Sequence, residues 1–209
     1  MTVACVLRSG GDYGPEWVYA LRRGLNRWLP DHNFRCLTDV PAIPAAIAEP
    51  LVHRWPGWWS KIELFRPGLF EGPVLYLDLD TLVVGDLSGI ASYRGPFAML
   101  ADFYAAKRGR KQGESGVMAW TPGGHTEAIY RAYCDNPITR GGDGPFIRRH
   151  VKHEYLQDLY PGQLTSLKVH APPRTSKGPP EGARLVCGHG RPRFNTAAAG
   201  WAHDWWQAA

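Results

Sequence analysis

The apolar positions of this chain fall in short blocks cut by turn residues. Val3 to Leu7 is an unbroken apolar run halted by Arg8, Ser9, Gly10 and Gly11, which predicts a buried strand and a turn. Pro15 then opens a segment with Trp17, Val18, Leu21, Leu25 and Trp28 on one helical stripe. Phe34 to Leu37 is a second short strand, closed by Thr38 and Asp39. Strand, helix and strand at this spacing predict a βαβ unit and a parallel sheet. Residues 41–58 are rich in Pro, Ala and Trp and keep no period, and Lys61 to Phe70 reads as a helix limited by Pro67. Val74 to Val84 is the most apolar strand, carrying two aspartates towards its end. Pro96 to Leu100 and Val117 to Trp120 read as further strands, Gly124 to Asp135 and Pro145 to Glu154 as helices. Residues 171–183 are turn-rich, Arg184 to Cys187 reads as a last strand, and no fixed-period repeat is present. The expectation is one α/β domain over residues 1–209, with a mostly parallel mixed sheet flanked by helices.

Composition narrows the class. Of 209 residues, 44% are hydrophobic and 21% charged, which excludes a largely disordered chain and gives a core that needs no metal or disulfide to form. The 24 Gly and 18 Pro predict many turns. Cys5, Cys36, Cys134 and Cys187 lie far apart without a CxxC pair, the first residues lack a secretory pattern, and no apolar run approaches the roughly 20 residues of a membrane span. Reduced thiols in a cytoplasmic protein are expected. The net charge of +5 suits an anionic partner, be it nucleotide, phosphate, nucleic acid or membrane surface, and does not choose among them.

The chemistry concentrates in Val74-Leu75-Tyr76-Leu77-Asp78-Leu79-Asp80-Thr81-Leu82. Residues two apart on a strand share a face, so Asp78 and Asp80 are expected to point the same way. Two carboxylates about 5 Å apart repel by roughly 3 kcal/mol at an effective dielectric near 20, which calls for a shared proton or a divalent cation. The carboxyl end of a strand is also where open α/β sheets bind ligands. Carboxylate oxygens suit Mg²⁺ or Mn²⁺, and a joining histidine tilts the choice to Mn²⁺. An Asp-x-Asp at an ordinary strand-to-loop turn is the plain alternative.

The stretch WWSKIELFRPGLFEGPVLYLDLDTLVVGDL resembles the core of GT-A glycosyltransferases, especially the glycogenin-like and lipopolysaccharide galactosyltransferase-like group, family 8. The resemblance implies a single GT-A, Rossmann-like domain, and a DxD pair, Asp78 and Asp80, on the metal-bound diphosphate of a nucleotide sugar. It sets Lys61 as the basic donor contact. It also implies a first strand and nucleotide loop over Cys5 to Tyr13, with Arg8 beside the donor and Tyr13 stacked on the base. Glu114-Ser115-Gly116 resembles the Asn-Ser-Gly segment that holds the donor sugar, with Glu114 in place of Asn. Gly142-Asp143-Gly144 resembles the Gly-Asp-Gln segment near the reacting carbon, with Gly144 in place of Gln. Gly188 to Arg193 resembles the C-terminal His…Gly-x-x-Lys-Pro segment: Gly190 matches the glycine, Arg193 the diphosphate lysine, and Cys187 falls where a metal-binding His usually sits, with His189 close enough to replace it.

The implied reaction moves a sugar from a nucleoside diphosphate, with UDP the expected nucleotide, to a hydroxyl on a glycan, lipid-linked or protein acceptor, with retention. Lys61 and Arg193 would offset negative charge growing on the leaving group. Asp143, counted with Asp80 as catalytic, would position the acceptor or stabilise the cationic sugar; in an inverting enzyme it would be the base. A haloacid-dehalogenase-like phosphohydrolase also carries Asp-x-Asp after an apolar strand, but wants Thr or Val where Leu82 stands. A nucleotidyltransferase would need a Gly-rich, Arg-Lys-containing loop at Arg8 to Tyr13. A degenerate nucleotide-binding domain is the non-enzymatic alternative, and nothing resembles a nucleic-acid recognition helix. Other features have plainer readings. His150, His153 and Glu154 match no zinc spacing, and Lys107 to Lys111 is an exposed basic loop or a lid. Two of Trp55, Trp58 and Trp59 are expected in the core, and the acceptor is expected in a shallow groove near the Trp55–Trp59 segment or on a neighbouring subunit. Trp201, Trp205 and Trp206 are expected to pack on the domain.

Overall fold

The computed structural model describes residues 1–41, 43, 44 and 46–208. The elements in chain order are β1 (Thr2–Leu7), α1 (Pro15–Trp28), β2 (Asn33–Thr38), β3 (Ile47–Pro50), a 3₁₀ helix (Gly57–Phe65), β4 (Val74–Leu77), β5 (Thr81–Val83) and α2 (Ser88–Ala91). Then follow β6 (Phe97–Ala101), α3 (Phe103–Lys107), β7 (Gly113–Trp120), α4 (Gly124–Asp135), α5 (Asp143–His150), β8 (Glu154–Tyr155) and α6 (Leu156–Leu159). β9 (Leu164–Ser166), β10 (Leu185–Cys187), a short 3₁₀ turn (Ala197–Ala199) and α7 (Trp201–Ala208) complete the chain.

A seven-stranded sheet runs in the order β3-β2-β1-β4-β7-β6-β8. β1 pairs in parallel with both β2 and β4, β3 extends the parallel half from β2, and β7 alone runs against its neighbours β4 and β6. The expected mixed, mostly parallel α/β sheet is therefore present. Both faces are covered. Val3, Cys5, Leu7, Leu75 and Leu77 pack towards Trp17, Val18, Leu21 and Leu25 of α1. Ala4, Val74 and Tyr76 face Trp59, Phe65 and Trp120 on the other side. This alternation follows the two-residue repeat of a strand, and it explains why these strands read as continuous apolar runs.

Several expectations need correction. Val74 to Val84 is not one strand. The large-sheet ladder ends at Leu77, the Thr81 N–H bonds the Asp78 carbonyl at 3.1 Å, and β5 enters a separate three-stranded sheet, β5-β10-β9. Lys61 to Phe70 is not an α-helix. The segment is 3₁₀, starts four residues earlier, and ends at Phe65; Arg66 follows with an extended backbone (ψ 133°), the conformation a following proline favours. The helix read over Pro145 to Glu154 begins at Asp143 and stops at His150. Val151 turns extended, and Glu154 joins β8, where its carboxylate accepts from the Tyr93 hydroxyl at 2.8 Å. Within residues 41–58, which read as aperiodic, β3 forms the sheet edge; Ala42 and Ala45 lie outside the described residues. Residues 171–183 contain turns and no helix or strand, as expected.

One buried acid organises the approach to the site. Glu63, 0% exposed, accepts from the Val52 and His53 N–H groups at 2.8 and 2.9 Å and from Arg66 at 3.1 Å. The 3₁₀ helix is thereby tied to the loop after β3, which fixes the direction in which Lys61 leaves it.

Candidate active site

β1 and β4 run side by side in the same direction, so Arg8 and Asp78 emerge together at their carboxyl ends. A cavity of about 700 Å³ opens there, where open α/β sheets bind ligands. Val6 to Arg8, Gly11 to Tyr13, Trp58, Lys61, Asp78 to Thr81, Glu114 to Gly116, and Cys187 to Gly190 with Arg193 contribute to its wall. Six segments remote in sequence thus meet at one place, counting the wall formed by Leu100 and Asp102 to Tyr104.

Asp78 and Asp80 reach the cavity from the turn between the two sheets, not from one strand face. Asp78 continues the ladder by a single bond, its N–H to the Gly116 carbonyl at 2.9 Å. Its carboxylate receives Lys61 Nζ at 2.9 Å on Oδ1 and 3.0 Å on Oδ2, and the Tyr76 hydroxyl at 2.5 Å. Asp80 Oδ2 accepts from the Tyr13 hydroxyl at 2.7 Å and from Arg193 at 3.1 Å. Burial disfavours the charged form of both. The Asp78 carboxyl is pushed up to about 6, against the pull of Lys61, and that of Asp80 is also raised. Lys61 loses by desolvation, but the carboxylates of Asp143 and Asp78 outweigh this and hold its ammonium above the ordinary lysine range.

The second half of the site comes from a break in β7. Its register against β6 shifts between Met99, opposite Met118, and Leu100, opposite Glu114. The residues between are released from that ladder, and Ser115 and Gly116 line the cavity. Ser115 Oγ donates to Asp143 Oδ2 at 2.6 Å, and Lys61 stands 3.3 Å from the same carboxylate. Asp143, expected at the reacting carbon, is only 7% exposed and does not line the cavity; it sits behind Lys61 and Ser115 as their positioning residue. Glu114 does line it, with Arg148 at 3.3 Å, and burial raises its carboxyl. A Cβ on Gly144 would meet Glu114 Oε2 at 2.7 Å. The two departures from the expected pattern, Glu114 and Gly144, therefore touch each other: the longer acid occupies space that a side chain at 144 would need.

Arg193 ties the C-terminal segment to the first loop. It bonds Asp12 at 2.8 Å, contacts the Tyr13 hydroxyl and lies 4.6 Å from the Tyr13 ring centroid, while its buried Nε has no partner among the described residues. Tyr13, expected to stack on a base, has a ring occupied by Arg193 and, edge-on at 4.9 Å, by Trp17. Arg8 is held by Asp39 at 3.3 Å. Gly190 lines the cavity with φ +70°, a conformation that favours glycine. His189 lines the cavity too, but its Nε2 is 2.7 Å from Ser166 Oγ and its ring lies between Phe103 and Tyr104. Among the described residues, no three His, Cys, Asp or Glu side chains are gathered as a metal-binding group, so His189 is not brought into a cluster with the aspartates. Cys187 lies in the wall, its thiol pushed up by burial and by the nearby aspartates.

Sequence reasoning missed Tyr76, Asp12 and Arg148. Tyr76 had a usable signal, because it stands two residues before Asp78. The other two had none, since their partners are 181 and 34 residues away. His150 and His153 bond neighbouring carbonyls and form no ligand cluster. Among the described residues, no helix is long and apolar enough to cross a membrane.

Comparison with solved structures defines the class of fold. The chain is similar to an active-site mutant of LgtC at 10% identity and TM-score 0.71, over 99% of this chain and 94% of that one. It is similar to the galactosyltransferase LgtC in complex with donor and acceptor sugar analogues at 12% identity and TM-score 0.65, with the same coverage. The glycosyltransferase GlyE of Streptococcus pneumoniae TIGR4 matches at 14% identity and TM-score 0.67, over 99% of this chain and 59% of that one. Neither a family model nor a curated protein sequence matches the chain. At such identities the likeness speaks for architecture: the chain has the GT-A glycosyltransferase fold.

Proposed function

We propose that this protein transfers a sugar from a nucleoside diphosphate sugar, with UDP as the nucleotide, to an acceptor hydroxyl with retention of configuration. The observation that carries this reading is the pairing of two desolvated carboxylates, Asp78 and Asp80, with two cations, Lys61 and Arg193, around one cavity at the carboxyl ends of β1 and β4. A plain surface Asp-x-Asp would have neither the burial nor the paired cations.

The donor set fits a divalent ion. Two carboxylates whose ionised forms are disfavoured by burial offer hard oxygens, and a dication near them would offset the desolvation. Asp78 and Asp80 would hold Mn²⁺ or Mg²⁺, and His189 would join them only by leaving Ser166. When bound, such an ion supplies Lewis-acid stabilisation of a diphosphate leaving group. The chain's own residues do the rest. Lys61, fixed by Asp78 and Asp143, keeps its proton and directs positive charge into the cavity. Arg193, held at the cavity wall by Asp12 and Asp80, adds a second positive charge beside a phosphate. Ser115, oriented by Asp143, and Glu114, oriented by Arg148, present acceptors to sugar hydroxyls. Nothing here calls for Asp143 to abstract a proton, which accords with a retaining reaction.

Thermal unfolding with UDP and Mn²⁺ tests the reading. Wild-type protein is expected to gain several degrees, while Asp78→Ala and Asp80→Ala lose the gain and release no UDP from a panel of UDP-sugars. Absence of stabilisation by any nucleoside diphosphate refutes it. Stabilisation without turnover of any donor would assign a nucleotide-binding domain that has lost catalysis.

A further inference from the structure

Among the described residues, five large hydrophobic side chains are exposed: Ile47, Val52, Trp58, Tyr104 and Leu159. Two of them, Trp58 at 59% and Tyr104 at 43%, line the cavity, and both are aromatic. Their neighbours explain why they are free to do so. In a 3₁₀ helix, residues three apart lie on one side, so Trp58 stands on the side of Lys61 while Trp59 turns inward and stacks on Tyr133 at 5.0 Å. Trp55, just before the helix, is stacked on His53 at 4.0 Å and meets the Tyr133 ring edge-on. Among the described residues no other ring packs on Trp58. Tyr104 is held in the first turn of α3 by its N–H to Asp102 Oδ1 at 2.7 Å, and its ring meets that of His189 edge to face with centroids 5.3 Å apart.

The cavity therefore combines exposed aromatic rings with an interior of Lys61, Asp78, Asp80 and Glu114. A molecule complementary to both has apolar faces and a rim of hydroxyls, which describes a pyranose ring. A fatty chain would leave the charged interior unpaired, and once the donor's diphosphate has engaged Lys61 and Arg193, a polyanionic acceptor would meet Asp78, Asp80 and Glu114 without a cation to offset them. We propose that Trp58 and Tyr104 form the acceptor platform and that the acceptor is a neutral glycan whose terminal ring stacks on Trp58. This rests on the transferase reading above and names the substrate class of the same site.

Saturation-transfer NMR tests it with cellobiose, lactose, maltose and chitobiose as probes, each with and without UDP and Mg²⁺. At least one disaccharide is expected to bind wild-type protein through ring-face protons. Trp58→Ala and Tyr104→Ala are each expected to weaken that binding by about tenfold, with Trp58→Phe restoring part of it and the UDP-dependent thermal shift unchanged. No transfer to any of the four sugars overturns the proposal, as does binding indifferent to both alanine variants. A loss of UDP binding in Trp58→Ala overturns it as well, because the indole would then stack on the nucleotide base. The two readings fail separately. Disaccharide binding without any UDP shift leaves the platform and removes the transferase, whereas a UDP shift without disaccharide binding does the opposite.

Discussion

At residue scale, two glycines beside the site respond differently to the same added methyl group. A Cβ on Gly188 would lie 3.0 Å from Phe194, 3.1 Å from the Asp80 carbonyl oxygen and 3.3 Å from the Asp80 Cβ. Its N–H is already bonded to that carbonyl at 2.7 Å, so the crowded partner is backbone that cannot swing away. Gly188→Ala is expected to cost about 1–3 kcal/mol and to displace Asp80, seen as a lower melting temperature and a weaker UDP-with-Mn²⁺ shift. At Gly144 the tightest neighbour is the far end of Glu114, which can move. Gly144→Ala should stay within about 1 kcal/mol of wild type and keep UDP affinity, while lowering turnover of the UDP-sugar. Equal losses of UDP binding in both variants would contradict this division.

At the scale of elements, legibility followed burial. β1, α1, β2 and α4 were evident because each presents a regular apolar face to a core. β3 and β8 were not, being edge strands of four and two residues with exposed or half-exposed positions and no alternation to read. The break after Leu77 was hidden for the opposite reason: Leu79, Leu82 and Val83 are buried in the neighbouring layer, so the apolar run continues although the sheet changes. The acids, Lys61 and Arg193 could be found from motif and order. The retreat of Asp143 could not, because it depends on where α5 packs. Glu63 left one faint trace, a single acid inside the apolar run IELF. Glu63→Ala would leave two part-buried N–H groups without their acceptor and take the carboxylate from Arg66, and a loss of about 1–3 kcal/mol is expected. Glu63→Gln, which keeps the backbone acceptor, should lose less; equal denaturation midpoints for wild type and the alanine variant would show that the loop holds without it.

For the whole molecule, the partly buried acidic pair gives a pH dependence of unusual sign. Between about pH 4 and 6 the folded chain holds a proton on Asp78 that the unfolded chain has released. The folded state then binds more protons, so this group's contribution to stability declines as pH rises through that window. Asp80 acts in the same direction. Asp12, Asp39 and Asp102, whose carboxyls are lowered by hydrogen bonds or nearby arginines, act in the opposite sense, and their contribution is lost only as pH falls through and below the ordinary aspartate range. Urea midpoints from pH 4 to 7 should therefore show wild type losing ground to Asp78→Asn as pH increases. Parallel profiles would mean that Lys61 and Tyr76 compensate the carboxylate fully.

The hinge-like tripeptide Asp78-Leu79-Asp80 is where the main sheet hands the chain to the smaller one, and β10 and β9 arrive there from more than eighty residues downstream. The spacing of the acidic pair is thus set by long-range pairing, and it is complete only when residues 164–187 have docked. Ligand capture by this protein would report completed assembly, and a titration end point would count finished molecules, not merely translated ones.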